Sequence, residues 1–349
     1  MKVLVTGHEG YIGSVMVPLL LEAGHEVLGL DSGLFKECNF GEAPGLESTR
    51  WLDIRDAGLV SDFAGVDAVV HLAALCNDPL GDLDTELTYD VNYRASVQLA
   101  HLAKQAGVQR FLFSSSCSLY GVAGGDNRLG EDAAFNPITA YGASKVNVER
   151  DVARLADESF SPTFLRNATA YGVSPRLRAD LVVNNLVGHA LLTGEVRVES
   201  DGTPWRPLIH VEDIARAFLA VLQAPRERVH NEAFNVGRTE ENYQVRDVAH
   251  MVAEIVPGSR VCFAPGGGPD PRSYRVDCSK LAGTVPAFQP RFTVQKGIEQ
   301  LYDAYRTHGL TRHDFASRYV RLKHVRRLID EGRLDATLRW QEIGDVRAA

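Results

Sequence analysis

Short apolar runs alternate with longer stretches of helical periodicity through the first half of the chain. Apolar runs bounded by turn residues are typical of buried strands, and apolar residues at three- and four-residue spacing are typical of amphipathic helices. The predicted strands are Lys2–Val5, Glu26–Leu30, Ala68–His71, Phe111–Ser114 and Thr163–Arg166. The predicted helices are Tyr11–Ala23, Leu83–Gln105 and Asn136–Leu155. This alternation predicts an α/β fold with a doubly wound parallel sheet and right-handed crossovers.

The pattern changes after about Tyr171, where helices and short strands mix and a loop rich in Pro and Gly occupies Pro265–Arg272. The predicted regions are a Rossmann-like domain over residues 1–170, a smaller mixed α/β lobe over 171–310 and a helical C-terminal extension over 311–349. Within 209–236, the segments Ile209–Leu222 and Ala233–Val236 could return to the large sheet.

Composition places the chain among soluble globular proteins. Hydrophobic residues make up 45% and charged residues 23% of the 349 residues, as is common for folded domains. The formal net charge of −8 argues against a general affinity for nucleic acid, whose binding depends on basic contacts to phosphate. A small phosphorylated ligand stays compatible with this charge, because a few Arg residues suffice to bind it.

The number and spacing of the cysteines indicate whether the protein works in a reducing or an oxidising compartment. Their number is odd, their spacing is wide and no CxxC pair occurs: Cys38, Cys76, Cys117, Cys262 and Cys278. This pattern indicates neither a disulfide framework nor a zinc site and favours a reducing compartment. The N-terminal MKVLVTG is not a signal peptide, and no segment is apolar for long enough to cross a bilayer. We expect a cytoplasmic protein without a metal or a membrane partner.

A glycine-rich loop follows the first predicted strand and opens the first predicted helix. It reads TGHEGYIG, a GxxGxxG pattern. Gly7 permits a tight turn, Gly10 lets the backbone approach a pyrophosphate, and Gly13 lets the helix pack closely on the strand. The helix N-terminus then faces the phosphates of a dinucleotide. The residues assigned to this cofactor site are Gly7, Gly10, Tyr11, Ile12 and Gly13.

Asp31 closes the second strand in the sequence LGLD. A carboxylate at this place can accept hydrogen bonds from both ribose hydroxyls of NAD and would repel the additional phosphate of NADP. The alternative is that the glycines are turn residues and Asp31 is a loop acid. Position and spacing together favour a dinucleotide site with NAD as the cofactor.

The ends of later strands supply further cofactor candidates. An acidic and an apolar residue between the strands Glu26–Leu30 and Ala68–His71 could bracket the adenine, and the small residues of HLAA let the backbone pass close to the cofactor. The residues assigned on this ground, together with the end of the strand Phe111–Ser114, are Asp53, Ile54, Leu72, Ala73, Ala74 and Ser114.

The sequence YGASK places Tyr141 and Lys145 on one face of a predicted helix. A phenol with a pKa of about 10 is a poor base at neutral pH, but a neighbouring ammonium and the positive nicotinamide ring both favour the phenolate. A depression of about three pKa units requires about 4 kcal/mol, which two close cations in a desolvated site can supply. Lys145 can also hold the nicotinamide ribose. The alternative is a surface pair at helical spacing.

The predicted strand Phe111–Ser114 runs into SSSCSLYG. Hydroxyl groups just beyond the carboxyl end of a strand lie where ligands bind in open α/β sheets. Ser116 could therefore pass a proton between Tyr141 and a substrate hydroxyl. The alternative is a serine-rich turn.

In combination, these motifs resemble the extended short-chain dehydrogenase/reductase family of NAD-dependent nucleotide-sugar epimerases and dehydratases. The resemblance covers roughly residues 1–302 and implies that Ser116, Tyr141 and Lys145 are the catalytic group, with Asn92 near the cofactor. The matching motifs are TGxxGYIGS, the strand-end Asp31, HLAA, Asn92 in VN, SSSxSxYG, YGxSK and RPxIHVxD at Arg206–Asp213.

The resemblance also implies a nucleotide-diphosphate sugar as the substrate. The Arg of the RPxIHVxD motif, here Arg206, contacts the substrate diphosphate in the family, and Arg272 resembles a second phosphate-binding Arg, with Arg275 as the rival. The planar fork of Arg matches phosphate oxygens, although a solvated surface Arg is the alternative. The residues assigned to the substrate are Ser116, Cys117, Ser118, Tyr141, Thr169, Arg206 and Arg272.

Two departures from the family pattern narrow the reaction. Family dehydratases carry an Asp-Glu pair directly after the active-site hydroxyl residue, and decarboxylases carry a Glu in that stretch. Cys117 and Ser118 stand there in this chain, which disfavours both reactions. Thr169 occupies the place of an Asn that touches the sugar diphosphate in many relatives, and Asn167, shifted by two, is expected to face elsewhere.

The resemblance favours an epimerase that inverts C4 of the sugar through a 4-keto intermediate, with NAD regenerated in each cycle. One alternative is an NAD(H)-dependent 4-keto-sugar reductase or dehydrogenase, although Asp31 weighs against the NADPH that many reductases prefer. Another is a catalytically inactive dinucleotide-sensing protein, which would usually lack the Tyr/Lys pair.

The resemblance also implies a homodimer in which the helices around Leu83–Gln105 and Asn136–Leu155 form a four-helix bundle. The basic segment Thr311–Trp340 exceeds the usual family length. We expect a solvated helix packed on the substrate lobe, with a lid or a subunit contact as the alternative.

Overall fold

The computed structural model describes residues 1–42, 45–56, 63–76, 84–122, 128–264, 268 and 272–341. In these residues the strands are, in chain order, β1 (Lys2–Thr6), β2 (Glu26–Asp31), β3 (Thr49–Trp51), β4 (Ala68–His71), β5 (Arg110–Ser116), β6 (Arg128–Leu129), β7 (Ser161–Asn167), β8 (Thr169–Tyr171), β9 (Glu195–Val198), β10 (Trp205–His210), β11 (Glu232–Val236), β12 (Asn242–Gln244), β13 (Arg260–Phe263) and β14 (Arg275–Val276).

The α-helices of the described residues are α1 (Gly13–Glu22), α2 (Thr85–Tyr89), α3 (Ala95–Gln105), α4 (Ala140–Ala153), α5 (Val182–Thr193), α6 (Val211–Gln223), α7 (Arg226–Val229), α8 (Val245–Ile255), α9 (Ser279–Thr284), α10 (Val294–Thr307), α11 (Arg312–Ala316) and α12 (Arg321–Asp330). A π-helical turn at Asp90–Arg94 joins α2 to α3, and a 3-10 turn at Cys117–Tyr120 follows β5.

Seven strands form one parallel sheet in the order β11-β7-β5-β4-β1-β2-β3. The predicted doubly wound Rossmann-like sheet is therefore confirmed. The chain leaves β1 toward β2 and β3 on one side and later continues with β4 and β5 on the other. The strand order thus reverses between β1 and β4, and ligands of open α/β sheets bind in the crevice at such a point.

Helices cover both faces of this sheet. On one face, Met16 of α1 and Phe218 of α6 join a cluster of buried residues with Val3 and Val5. On the other face, Leu99 of α3 belongs to a cluster that includes Leu4 of the sheet. Because both faces are covered, the central strands are continuous apolar runs and do not alternate between apolar and polar residues.

A smaller lobe stands at the carboxyl edge of the large sheet. It contains a three-stranded sheet in the order β12-β10-β8 and a parallel pair of β9 and β13. Residues Ala233–Val236 do return to the large sheet, as part of β11. Ile209 instead lies in β10, and the residues after it form α6, which packs against α1.

Two predicted helices differ in extent from the observed ones. The helix predicted from Asn136 begins only at Ala140, because the Thr139 side chain accepts a hydrogen bond from Gly142 N at 3.1 Å and caps the helix there. The long helix predicted up to Gln105 is divided by the π-helical turn, and its first residue, Leu83, lies outside the described residues. The predicted Pro/Gly loop at 265–272 also lies outside them, apart from Gly268 and Arg272.

The C-terminal extension packs on both parts of the molecule. Phe315 and Tyr319 join the hydrophobic cluster of the smaller lobe. Val325 and Leu328 of α12 belong to the cluster beneath the large sheet, together with Leu4. The expectation of a solvated helix on the substrate lobe is therefore wrong for α12, because its apolar face is buried against the Rossmann-like part.

Among the described residues, none of the helices combines the length and the apolar character that crossing a membrane requires.

A buried ion pair joins α4 to β7. The Arg166 guanidinium donates to the Glu149 carboxylate through Nη2 at 2.7 Å and Nε at 3.1 Å, and both side chains are only 6% exposed. We predict that Glu149→Gln lowers the free energy of unfolding by about 3 kcal/mol or more, because a buried guanidinium then lacks its counter-charge. Urea denaturation measures this loss.

The control is Glu195→Gln, which removes the exposed pair between Glu195 and Arg260 and should leave the urea midpoint nearly unchanged, because water and salt screen exposed ion pairs. Equal losses in the two variants would contradict the importance given to the buried pair.

Candidate active site

A cavity of 790 Å³ lies at the carboxyl ends of the sheet strands and reaches into the smaller lobe. Its walls include the loops after β1 and β4, where the strand order reverses. A cavity of this size is within the range of sites that enclose small organic ligands. The predicted cofactor and substrate residues therefore belong to one continuous space, with the exceptions of Cys117 and Asn92 described below.

The glycine-rich loop packs so closely that Gly7 and Gly13 leave no room for a side chain. Gly7 has a φ of +73°, and a Cβ on it would lie 2.8 Å from Ala73 N. A Cβ on Gly13 would lie 2.3 Å from Gly7 O. The first turn of α1 therefore sits directly on the loop and aims its N–H groups at the cavity, as a pyrophosphate requires.

The Asp31 carboxylate lies at the cavity wall at the end of β2. Its Oδ2 accepts from Glu9 N at 3.0 Å and its Oδ1 accepts from Gly33 N at 2.7 Å. Burial raises the pKa of Asp31 in the ligand-free protein. The ribose hydroxyls of a bound dinucleotide would donate additional hydrogen bonds to the Asp31 carboxylate and so favour its ionised form.

Asp53 and Ile54 line the same end of the cavity. The Asp53 carboxylate accepts from Arg55 Nε at 2.9 Å and from Arg55 Nη2 at 2.6 Å. This bidentate pair fixes the carboxylate, while Ile54 is buried and offers an apolar surface. The arrangement suits the edge and face of an adenine ring.

Lys145 is the buried cation of the site. It is 2% exposed, and its Nζ donates to Ser114 O at 2.7 Å and lies 5.6 Å from the centre of the Tyr141 ring. Burial lowers the pKa of Lys145 to about 8. Tyr141, Lys145 and Ser114 all line the cavity, so the helical spacing of YGASK does bring the phenol and the ammonium to one place.

Ser116 closes β5 and also lines the cavity. Its Oγ accepts from Ser118 Oγ at 2.9 Å and from Ser118 N at 3.2 Å. Both bonds use Ser116 as the acceptor, which leaves its own proton for a group in the cavity.

Asn167 corrects an expectation. The sequence placed it facing elsewhere, but it lines the cavity and its Nδ2 donates to Ser114 Oγ at 3.0 Å. Its Oδ1 is buried without a hydrogen-bond partner among the described residues. The last residue of β7 points to the cavity because its neighbour Arg166 points the other way, toward Glu149. Thr169, predicted from the sequence, lines the cavity as well.

Cys117 and Asn92 do not line the cavity. The Cys117 thiol is fully buried and donates to Arg166 O at 3.1 Å, because the 3-10 turn directs it into the core. The Asn92 side chain accepts from Leu75 N at 2.7 Å and donates to Leu75 O at 3.0 Å. Asn92 therefore braces the loop after β4, and neither residue is placed to touch a ligand directly.

On the side of the smaller lobe, Arg206 and Arg272 form one wall of the cavity. Arg206 Nη1 donates to Trp205 O at 2.9 Å and also donates to Arg272 O. This contact ties the loop that carries Arg272 to β10. Two guanidinium groups at one wall offer the charge that a diphosphate requires.

Tyr11 and Ile12 line the cavity beside the glycines. The Tyr11 hydroxyl is not available to a ligand, because it is buried and donates to Gly172 O at 2.7 Å. Leu72, Ala73 and Ala74 line the opposite side.

Several lining residues were not predicted from the sequence. Arg178 pairs with Asp180 at 2.9 Å, and both lie at the wall. Phe35 follows Asp31 by four residues, so its position after a strand end was a usable signal. Arg321 and Leu338 come from the C-terminal extension, and no local pattern in the sequence indicates that they reach the cavity.

Comparisons with known proteins agree with this geometry. A family model described as the NAD dependent epimerase/dehydratase family matches residues 3–237. The UDP-glucose 4-epimerase of Mycolicibacterium smegmatis is 30% identical over 327 residues, which cover 88% of this chain and 99% of that protein. The low-salt glycan biosynthesis protein Agl12 of Haloferax volcanii is 28% identical, covering 87% of this chain and 98% of that protein.

Among solved structures, MoeE5 in complex with UDP-glucuronic acid and NAD is 30% identical with a TM-score of 0.76, covering 88% of this chain and 99% of that one. The Thermus thermophilus UDP-glucose 4-epimerase complex with NAD is 26% identical with a TM-score of 0.74 and the same coverage.

These matches confirm the predicted fold, the NAD cofactor and the prediction of an NAD-dependent nucleotide-sugar epimerase. The glycine cradle and the Asp31 carboxylate fit that cofactor on the geometry of this chain alone. The chain therefore belongs to the NAD dependent epimerase/dehydratase family.

Proposed function

We propose that this enzyme inverts C4 of a nucleotide-diphosphate sugar. One observation carries the proposal: the cavity that holds the cofactor residues continues past Tyr141, Lys145 and Ser116 to the wall formed by Arg206 and Arg272. The reacting groups thus lie between a site for a dinucleotide and a site for a diphosphate. NAD, when bound, supplies the acceptor and donor of hydride for the sugar carbon.

Tyr141 is the proton acceptor in this proposal. Lys145 holds a positive charge 5.6 Å from the centre of its ring in a buried environment, where the attraction between an ammonium and a phenolate is stronger than in water. The bond from Lys145 Nζ to Ser114 O fixes the ammonium in this place. The pair therefore favours the phenolate form of Tyr141, which accepts the proton that the sugar hydroxyl gives up.

Ser116 passes the proton between the sugar hydroxyl and Tyr141. Ser118 donates two hydrogen bonds to Ser116 Oγ, so the serine hydroxyl is oriented before a ligand arrives. A group that is already oriented loses no reorganisation energy during the reaction.

The sugar diphosphate is assigned to the wall of the smaller lobe. Arg206 and Arg272 take its phosphate oxygens, because the planar fork of Arg matches them. Thr169 and Asn167 line the same cavity, and the Asn167 Oδ1, which has no hydrogen-bond partner among the described residues, offers an acceptor to a sugar hydroxyl. Ser118 also lines the cavity, and its hydroxyl is assigned to the sugar as well.

Elimination of water and decarboxylation are disfavoured at this site. The residues that follow Ser116 are Cys117, whose thiol points into the core, and Ser118. Burial raises the pKa of the Cys117 thiol, so it is a poor acid. With no carboxylate directly after the active-site serine, the chain offers no acid in the place where such reactions need one.

The protein is proposed to act in the cytoplasm as a homodimer. Its cysteines are unpaired in the described residues, as in a reducing compartment. The helices α3 and α4 lie side by side, and Tyr93 of the π-helical turn before α3 donates to Asp151 Oδ2 of α4 at 2.5 Å. A second copy of this helix pair would complete a four-helix bundle.

We predict that Tyr141→Phe lowers kcat by about 10² to 10⁴-fold, because the proton acceptor is lost while the ring packing remains. Wild type and variant are screened against nucleotide-diphosphate sugars by NMR for inversion at C4. Wild type should convert one epimer into the other without accumulation of NADH, and the bound NAD should persist through purification.

Tyr302→Phe, on α10 and outside the cavity lining, is the control and should keep its activity. Stoichiometric consumption of NADH by a keto sugar would instead establish a reductase, and full activity in Tyr141→Phe would remove this residue from the chemistry.

The buried Lys145 also predicts a pH dependence of stability. Its pKa falls from 10.5 to about 8 in the folded protein. Between pH 8 and 10.5 the unfolded chain binds more protons at this group than the folded chain, so rising pH stabilises the wild type through it. Below pH 8, Lys145 is protonated in both the folded and the unfolded chain. The folded wild type then bears the whole desolvation cost of burying its ammonium group.

We therefore expect Lys145→Met to lose about 3 kcal/mol of stability relative to wild type as the pH rises from 7 to above 10. Urea denaturation at several pH values measures the difference. The exposed Lys296→Met variant should follow the wild-type curve. A constant difference between Lys145→Met and wild type would contradict the prediction.

For the dimer, sedimentation equilibrium at micromolar concentration should give twice the chain mass of 38.2 kDa. A monomer at that concentration would refute the proposed association through α3 and α4.

A further inference from the structure

The C-terminal extension places a buried guanidinium at the cofactor cavity. Arg321 is the first residue of α12, is 3% exposed and lines the cavity. Its guanidinium lies 4.1 Å from the centre of the Phe35 ring, and its Nη2 donates to Arg176 O at 2.8 Å. Its Nη1 is buried without a hydrogen-bond partner among the described residues.

The neighbouring guanidinium groups have their own carboxylates. Arg176 pairs with Glu9, and Arg178 pairs with Asp180 at 2.9 Å. Arg321 makes no ion pair with any residue that the structure describes. A buried cation without a counter-charge is costly, and an anion bound beside it would remove that cost.

The position of Arg321 points to the diphosphate of the dinucleotide. Arg321 Nη2 bonds to the carbonyl of Arg176, and the Arg176 guanidinium pairs with Glu9 of the glycine-rich loop. The Arg321 guanidinium also lies over the ring of Phe35, which follows Asp31 by four residues. Arg321 therefore contacts residues tied both to the loop that cradles the pyrophosphate and to the strand end that takes the adenosine ribose. In NAD, the diphosphate is the anionic part between these two places.

The extension is tied to the loop that follows β2. His324 Nε2 lies 2.9 Å from Leu34 O, and Trp340 Nε1 donates to Ser32 O at 2.6 Å. Leu338 adds an apolar side chain to the cavity wall. These contacts hold α12 and the segment after it against the adenosine end of the site, so Arg321 is fixed before a ligand binds.

We propose that Arg321 binds the diphosphate of NAD, so that the C-terminal extension completes the cofactor site. The planar fork of its guanidinium gives Nη1 to a phosphate oxygen while Nη2 keeps its bond to Arg176 O. The proposal rests on the cofactor and not on inversion at C4, and binding measurements test it without turnover.

The test is calorimetric titration of the full chain, stripped of its cofactor, and of its Arg321→Gln variant with NAD, ADP-ribose, adenosine and NADP. The variant should bind NAD and ADP-ribose about tenfold or more weakly, because a charge-assisted hydrogen bond is lost. Adenosine, which lacks phosphate, should bind both proteins equally. Arg326→Gln, an exposed position on the same helix, should behave as wild type.

Thermal unfolding separates binding from folding. Ligand-free Arg321→Gln should unfold at or above the wild-type temperature, because it no longer buries an unpaired charge, and NAD should raise its midpoint less than that of wild type. If Arg321→Gln does not fold, Arg321→Met keeps the packing on Phe35 and is measured in the same way.

Three results would overturn the proposal. The first is unchanged affinity for NAD in the folded variant. The second is an equal loss for adenosine, which would show that Arg321 only positions the loop after β2. The third is a loss confined to NADP, which would assign the guanidinium to a 2′-phosphate.

Discussion

The hydrogen bond from Lys145 to the carbonyl of Ser114 holds the reacting part of the molecule together. It joins α4 to the end of β5, so one contact fixes the distance between the helix that carries Tyr141 and the strand that delivers Ser116. The ammonium that makes this bond is buried, and its desolvation is a cost to the fold. In the proposed mechanism the same charge favours the phenolate of Tyr141, which accounts for this cost.

Charge compensation organises the rest of the cavity. Several buried guanidinium groups are paired with carboxylates, as in Arg176 with Glu9 and Arg166 with Glu149, and the first of these pairs joins segments 167 residues apart. Two buried polar atoms at the cavity lack a hydrogen-bond partner among the described residues. They are Arg321 Nη1 at the cofactor end and Asn167 Oδ1 at the end assigned to the sugar. Unpaired polar groups in a protein interior are uncommon, so both places are ones where a ligand would complete the hydrogen bonding.

Much of the fold and of the candidate site was predictable from local sequence patterns. The turn at Gly7, the strand end at Asp31 and the helical spacing of Tyr141 and Lys145 depend on neighbours within a few residues. The side to which Asn167 and Cys117 point was not predictable in the same way. The direction of the Asn167 side chain follows from strand alternation in β7, whose register is set only when β7 pairs with β5. The direction of the Cys117 side chain follows from the 3-10 turn after β5.

The sequence by itself determined the parallel sheet, the dinucleotide loop and the phenol-ammonium pair, because each arises from short-range periodicity and backbone geometry. Tertiary structure alone decided that α12 lies under the large sheet and that Arg321 reaches the cofactor cavity. Nearly three hundred residues separate that guanidinium from Asp31 and Phe35. Contacts over such a separation depend on how apolar faces pack, and no local pattern encodes which faces will meet.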